Sequence, residues 1–270
     1  MYISADMEGL SQVVSWQQVE STGGAEYQRC CRLLTLEVNA AVRGALAGGA
    51  TEVIVNDGHN HMRNILRETL LPQAQLLTGS GKSLGMMEGI GREFHAAFFL
   101  GYHARAGSPG VLAHTFNEAV ASCRLNGREV GETGLNALVA GYFGVPVVLL
   151  TGDNIVAAEA RQLLGHIEVV MVKEARGFHA ARCLAPGVVR ERIRAAAARS
   201  LRNLSRYKPL RPPDSLTLEV EFKEVSQAEA ACLLPGTQRR NSRTVIYKSP
   251  DYLEVYRAFR AMANLARQGG

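Results

Sequence analysis

The 270-residue chain contains no apolar run near the roughly 20 residues a membrane span requires. Its longest, residues 145–150, has the length of one buried strand. The opening MYISAD carries no basic segment followed by an apolar stretch, so no secretory leader is read there and a cytoplasmic location is expected. Cysteine is scarce and odd in number: Cys30, Cys31, Cys123, Cys183 and Cys232 form no CxxC, which argues against a thiolate zinc site or a disulfide framework and for free thiols. The 27 glycines follow no Gly-X-Y period, which excludes collagen. With 47% hydrophobic and 20% charged residues, the composition is that of a globular protein and not of a disordered one.

The net charge of +5 is unevenly spread. Residues 173–211 hold eleven Lys and Arg against Glu174 and Glu191, a local +9, so the rest of the chain carries −4. A basic stretch of this kind can bind nucleic acid. Only Phe178 and Tyr207 interleave it, however, and a solvated helix face or a subunit contact is the better reading.

The first two-thirds of the chain alternates short apolar runs (2–5, 52–55, 96–100, 120–125, 145–150, 167–172) with amphipathic stretches (26–47, 129–142, 156–164). Such alternation implies βαβ units and a mostly parallel sheet flanked by helices. Beyond an arginine-studded helix over 186–204, the RPPDS segment breaks the pattern. Strands over 216–222 and 244–248 then follow, with a short helix near Gln227 and a closing helix over 251–267. The expected organisation is an α/β catalytic core over 1–205 and a small C-terminal α+β subdomain over 206–270 that serves packing or self-association.

Ligands of open parallel sheets sit beyond the carboxyl ends of the strands. The first strand runs into Asp6-Met7-Glu8-Gly9, the second into Asn56-Asp57-Gly58-His59, and the third into Gly101-Tyr102-His103. His114 follows in the next loop, and Glu132 opens the helix after Val130. Imidazole and carboxylate without thiolate is the ligand set of a hydrolytic zinc, manganese or iron site. Three carboxylates and two histidines exceed the usual needs of one catalytic zinc, so two metals bridged by a shared carboxylate account for them better. A carboxylate or histidine at one strand end is ordinarily a cap or a structural hydrogen-bonding group; the coincidence over successive strands shifts that reading. His61 reads as a solvent-facing loop residue. Gly79-Ser80-Gly81-Lys82-Ser83 has a leucine, Leu76, where the phosphate-loop pattern needs glycine, and is read as a flexible turn.

The strings SADMEGLS, EVIVNDGHN, FLGYHARAGSPGVLAHT and NGREVGETGLNALVAGYFGVPVVLLTGD, with CLAP, PLRPP and QAEAACLLPGT after them, resemble the DppA-type zinc D-aminopeptidases over nearly the whole chain. The segment 12–24 diverges. The resemblance implies two Zn²⁺ per subunit, with Mn²⁺ or Co²⁺ as possible substitutes. It places Asp6 as the bridging ligand, with Glu8, His59, His103 and Glu132 completing the set. His114 matches the family's catalytic histidine, for which a general acid/base role fits better than that of a nucleophile. The implied reaction is release of the N-terminal residue, a D-amino acid such as D-alanine, from short peptides by a two-zinc-activated hydroxide. The implied assembly is a homodecamer of two stacked pentameric rings, with neither nucleic acid nor membrane as a partner. Asn136, one helical turn beyond Glu132, and Arg105 are candidate substrate contacts. Two alternatives stand beside this reading. One is a two-metal hydrolase of L-peptides, amides or phosphoesters, and the other a non-catalytic nucleic-acid-binding protein using residues 173–211.

Overall fold

The computed structural model describes residues 1–269. In chain order its elements are β1 (Tyr2–Ala5), α1 (Ala25–Ala47), β2 (Val53–Asp57), β3 (Ala74–Leu77), β4 (Ala97–Leu100), β5 (Val120–Leu125), β6 (Arg128–Glu129), α2 (Glu132–Tyr142), β7 (Val147–Gly152) and α3 (Asn154–Leu164). There follow β8 (Glu168–Met171), β9 (Lys173–Gly177), β10 (Ala180–Cys183), α4 (Pro186–Arg202), β11 (Leu216–Phe222), α5 (Val225–Ala231), β12 (Gln238–Arg239), β13 (Thr244–Ser249) and α6 (Tyr252–Ala266). Among the described residues no helix is long and apolar enough to cross a membrane.

Six strands form a wholly parallel sheet in the order β3-β2-β1-β4-β7-β8. Its four inner strands are buried on both faces, as βαβ crossovers require, while the edge strands β3 and β8 are partly exposed. Ile3, Ala5 and Phe98 pack against Leu34 and Val38 of α1 and Val189 and Ile193 of α4. Tyr2 and Phe99 point the other way, into a second cluster with Leu135 of α2 and Phe259 of α6. The strand order runs outward from β1 to β3 and, on the other side, from β4 to β8. The reversal therefore lies between β1 and β4, where a doubly wound sheet opens its ligand crevice.

The second sheet, β12-β13-β11-β5-β6, is antiparallel. The run 120–125, read from alternation as one of the core strands, belongs here, paired with β11. The cause is local: Asn126 and Gly127 both have positive φ and close a tight hairpin, so β5 turns back into β6 instead of crossing over. A boundary at residue 205 therefore does not separate the sheets, because β5 and β6 complete the one that β11 and β13 build. The hairpin β9–β10 and the edge strand β3 carry too weak an apolar alternation to be read from sequence.

Two glycines let the ends of β1 and β4 meet. A Cβ on Gly9 would stand 1.9 Å from the Tyr102 carbonyl oxygen. Gly101 has φ +70°, and a Cβ there would stand 2.1 Å from the Asp6 carbonyl oxygen. The Gly9 amide instead donates to the Gly101 carbonyl at 2.8 Å, and the Asp6 amide to Leu100 at 2.8 Å. The segment after β1 is also clamped from beneath. Lys173, 2% exposed, donates from Nζ to the carbonyls of Glu8 at 2.5 Å and Val13 at 2.6 Å. Glu37 of α1, fully buried, accepts from the Ser11 amide and hydroxyl on one oxygen, while its Oε2 has no partner.

Burial pushes the Glu37 carboxyl up to about 7 despite the hydrogen bonds from Ser11. Burial likewise draws the Lys173 ammonium down to about 8 against the pull of Asp153. Between the ordinary carboxyl value of 4.5 and about 7, the folded chain holds a proton on Glu37 that the unfolded chain has released, so stability falls as pH rises through that window. Glu37→Gln removes the penalty. Its stability relative to wild type is expected to grow between pH 5 and pH 8 by on the order of 3 kcal/mol in urea unfolding, whereas a pH-independent difference contradicts the assignment. Lys173→Met leaves two buried carbonyls without a donor, at about 1–3 kcal/mol each. An unfolding midpoint equal to wild type would show that the clamp contributes nothing.

Candidate metal centre

Five of the six predicted side chains reach the crevice by an identifiable local device. Asp6 and Glu8 leave the end of β1 two residues apart, in a segment that bends at Met7 and turns at Glu8, and both carboxylates face His59. His59 stands in the loop after β2, whose shape is set by Asp57: its carboxylate accepts from the Asn64 amide, the Asn64 side chain and the Ile65 amide. His103 follows β4 past the Gly101 turn. Glu132 is the first residue of α2, where a carboxylate is favoured by the positive end of the helix.

All six converge. His59 Nδ1 lies 3.1 Å from both Asp6 Oδ1 and Glu8 Oε2. His103 Nε2 lies 3.5 Å from Asp6 Oδ2 and 3.2 Å from Glu132 Oε1. His114 Nε2 is 3.8 Å from Glu8 Oε1 and 3.8 Å from Glu132 Oε1, and its ring stacks on His103 with centroids 4.0 Å apart. Asp6 is therefore central, with one oxygen toward His59 and the other toward His103. Two triads have ligand atoms close enough to share an ion: Asp6, Glu8 and His59, and His103, His114 and Glu132.

The outward nitrogen of each histidine meets a carbonyl, which can only accept. His59 Nε2 is 2.8 Å from the Val19 carbonyl, His103 Nδ1 is 3.0 Å from Ala104, and His114 Nδ1 is 2.8 Å from Leu112. A neutral ring therefore holds its proton on that nitrogen and turns a lone pair inward, the arrangement of metal-ligating histidines. Asp6 Oδ2, Glu8 Oε2 and His103 Nε2 are buried without a hydrogen-bond partner. Orphaned polar atoms of this kind are costly, and cations held among them would satisfy them. The donor set, nitrogen and oxygen without sulfur, is one that zinc accepts.

The charges confirm how strongly the cluster calls for a positive partner. Burial, reinforced by Glu8, pushes the Asp6 carboxyl up to about 7. Burial would raise Glu8 as well, but His59 overrides it and holds that carboxyl well below the usual range. Burial opposes protonation of His103, yet Glu132 and Glu8 raise it to about 10; Glu8 and Asp6 likewise hold His59 well above the ordinary histidine value. His114 goes the other way, lowered by burial and by the neighbouring His103. It is the one imidazole of the three whose neutral form is favoured.

The cluster forms the floor of a cleft of about 540 Å³. Two predicted contacts do not reach it. Asn136 is buried, donating to the Tyr102 hydroxyl and Met86 sulfur and accepting from the Tyr256 hydroxyl, so its amide holds α2 to α6. Arg105 pairs with Glu129 at 2.6 Å and borders a different cavity. His61 is exposed, as expected, and the 79–83 loop is tied down, its Lys82 Nζ donating to Asn56, Asp57 and Leu77. Three contributors escaped the sequence reading. Trp16 stands edge-on to His114 at 5.2 Å, the Phe116 amide donates to Glu132 Oε1 at 2.7 Å, and Lys173 clamps the Glu8 carbonyl. Trp16 is the chain's single tryptophan, and Lys173 follows the apolar run 169–172; both were available signals.

Comparison with known proteins identifies relatives of the whole chain. The chain is 41% identical over 267 residues to the D-aminopeptidase of Bacillus subtilis strain 168, covering 98% of this chain and 97% of that one. The solved structure of the Zn-dependent D-aminopeptidase DppA from Bacillus subtilis, described as a self-compartmentalizing protease, superposes with a TM-score of 0.96 at 40% identity, over 99% of this chain and 97% of that chain. The model of peptidase family M55, the D-aminopeptidases, matches residues 1–261, and the chain belongs to that family.

Proposed function

We propose that the protein is a zinc-dependent aminopeptidase that releases an N-terminal D-residue from short peptides, with two cations held per subunit. The observation that carries the reading is the position of Asp6, whose two carboxylate oxygens face two different histidines. Asp6, Glu8 and His59 would hold one cation, and Asp6, His103 and Glu132 the other. Zinc in such a set acidifies a bound water and polarises a carbonyl; manganese and cobalt accept the same donors.

The chain's own residues supply the rest. With Nδ1–H fixed by the Leu112 carbonyl, His114 presents Nε2 to the floor of the cleft, where it accepts a proton from the attacking water and returns it to the leaving amine. Its depressed pKa keeps Nε2 unprotonated and ready to act as the base at neutral pH. Trp16, packed edge-on against the His114 ring, limits its rotation and keeps water off that side. The peptide's α-amine, in its neutral lone-pair form, would be held at the metal centre, which restricts cleavage to the first residue.

Two further assignments complete the reading. Self-compartmentalization of the B. subtilis relative supports a closed homo-oligomer here, for which we propose a decamer of two pentameric rings. The five free cysteines accord with a reducing, cytoplasmic setting. The alternatives fare less well. Arg105 is held by Glu129 outside the cleft, and several arginines of the 173–211 stretch are engaged in surface ion pairs.

Variants test the two roles separately. His114→Ala is expected to retain its metal by elemental analysis while kcat on a D-alanyl peptide falls about 100- to 10,000-fold; wild-type turnover would remove His114 from the chemistry. Asp6→Ala is expected to fold but to retain neither cation stoichiometrically. Two equivalents of zinc in that variant would refute the bridging role.

A further inference from the structure

The floor of the cleft is acidic, but one wall is not. The C-terminal helix α6 lines the cleft with Arg260, Asn264 and Arg267. Among the described residues nine arginines form ion pairs with carboxylates, and neither Arg260 nor Arg267 is one of them. Two unpaired guanidinium groups thus border a cleft that also holds the three carboxylates of the metal centre and, at its exposed rim, Glu20 and Glu118.

Arg260 is held in place without being neutralised. Its Nη1 donates to the carbonyls of Lys82 at 2.7 Å and Ser83 at 2.6 Å. Its guanidinium carbon lies 5.8 Å from the centroid of the Phe116 ring. Nε is buried without an acceptor, and Nη2 makes no hydrogen bond within the described residues. Gly85, at φ +51°, packs against the face of the guanidinium: a Cβ there would stand 2.8 Å from both Cζ and Nε and 3.0 Å from Nη2. Only a residue without a side chain leaves the guanidinium room in this position. A guanidinium fixed by neutral carbonyls, within cation–π range of an aromatic ring and lacking a counter-charge keeps Nη2 free for a carboxylate.

Phe116 joins the two ends of the site. Its amide donates to Glu132 of the metal centre, and its ring lies beneath Arg260. The guanidinium therefore lies beyond the Phe116 side chain from Glu132, in the same cleft as the catalytic floor.

We infer that Arg260, supported by Arg267, binds the free C-terminal carboxylate of the substrate, so that the enzyme selects short peptides whose two charged ends are read at once. The inference rests on the aminopeptidase reading and adds to it a specificity-determining wall on α6. Di- and tripeptides are then held by the metal centre at the amine end and by a guanidinium at the acid end. A C-terminal amide of the same sequence loses the second contact, and the α6 arginines then remain unpaired.

The test compares kcat/KM of the zinc-loaded enzyme on D-Ala-Gly and on D-Ala-Gly amide. Wild type is expected to favour the free acid by about tenfold or more, the scale of one charge-assisted hydrogen bond. In Arg260→Gln the acid-to-amide ratio is expected to fall at least tenfold, through KM more than kcat, and Arg260→Lys is expected to recover part of it. Because the readout is a ratio within one preparation, loss of folded protein does not imitate the effect. A wild-type ratio near one, or a ratio unchanged in Arg260→Gln, overturns the carboxylate subsite while leaving the aminopeptidase reading intact. No cleavage of either D-alanyl substrate by wild type overturns that reading, and the subsite with it.

Discussion

Asp6, Glu8 and Glu132 are buried together with three imidazoles, and too few protein donors are present to satisfy them. Burying carboxylates in a shared volume is among the most costly arrangements a fold can contain. It is tolerated where a compensating cation lies at the centre, and most features around the site follow from that requirement. The carbonyls of Val19, Ala104 and Leu112 each fix one imidazole tautomer. Each lone pair is thereby committed to the inside before any ion arrives.

Holding like charges together also requires a rigid frame. The parallel sheet supplies it by ending β1, β2 and β4 at one edge, with the order reversal between β1 and β4 opening the crevice. Gly9 and Gly101 permit the backbone crossing that brings Asp6 and His103 within reach of each other. Lys173 and Glu37 then hold the 8–13 segment from below, so the ligand-bearing chain is hydrogen-bonded on both sides. The 116–119 segment before β5 and the α6 region also line the cleft and bring a positive wall to a negative floor.

Much of this was legible in the chain itself, because strand ends in an open parallel sheet point to the ligand crevice whatever the surrounding packing. DMEG, NDGH, GYHA and GETG could be placed at strand ends and a helix start from apolar runs alone. What escaped depends on tertiary contacts. Asn136 looked like a neighbour of Glu132 by helical spacing, yet Tyr102 and Tyr256 claim its amide from other elements. Arg105 follows His103 by two residues, but its side chain turns to Glu129. The run 120–125 has the composition of a core strand and was assigned to the wrong sheet, although Asn126-Gly127 signals the hairpin that removes it. Lys173 was counted with surface arginines because charge counting does not register burial.

The central claim, a cation-dependent centre that removes an N-terminal D-residue, is tested most directly by chromatographic detection of free alanine from D-Ala-D-Ala and L-Ala-L-Ala. The protein would be assayed after chelation and again after zinc is restored. The account predicts no release from the chelated protein, and release from the D-peptide in strong preference to the L-peptide once zinc is returned. Release that persists without metal, or that favours the L-peptide, would contradict it.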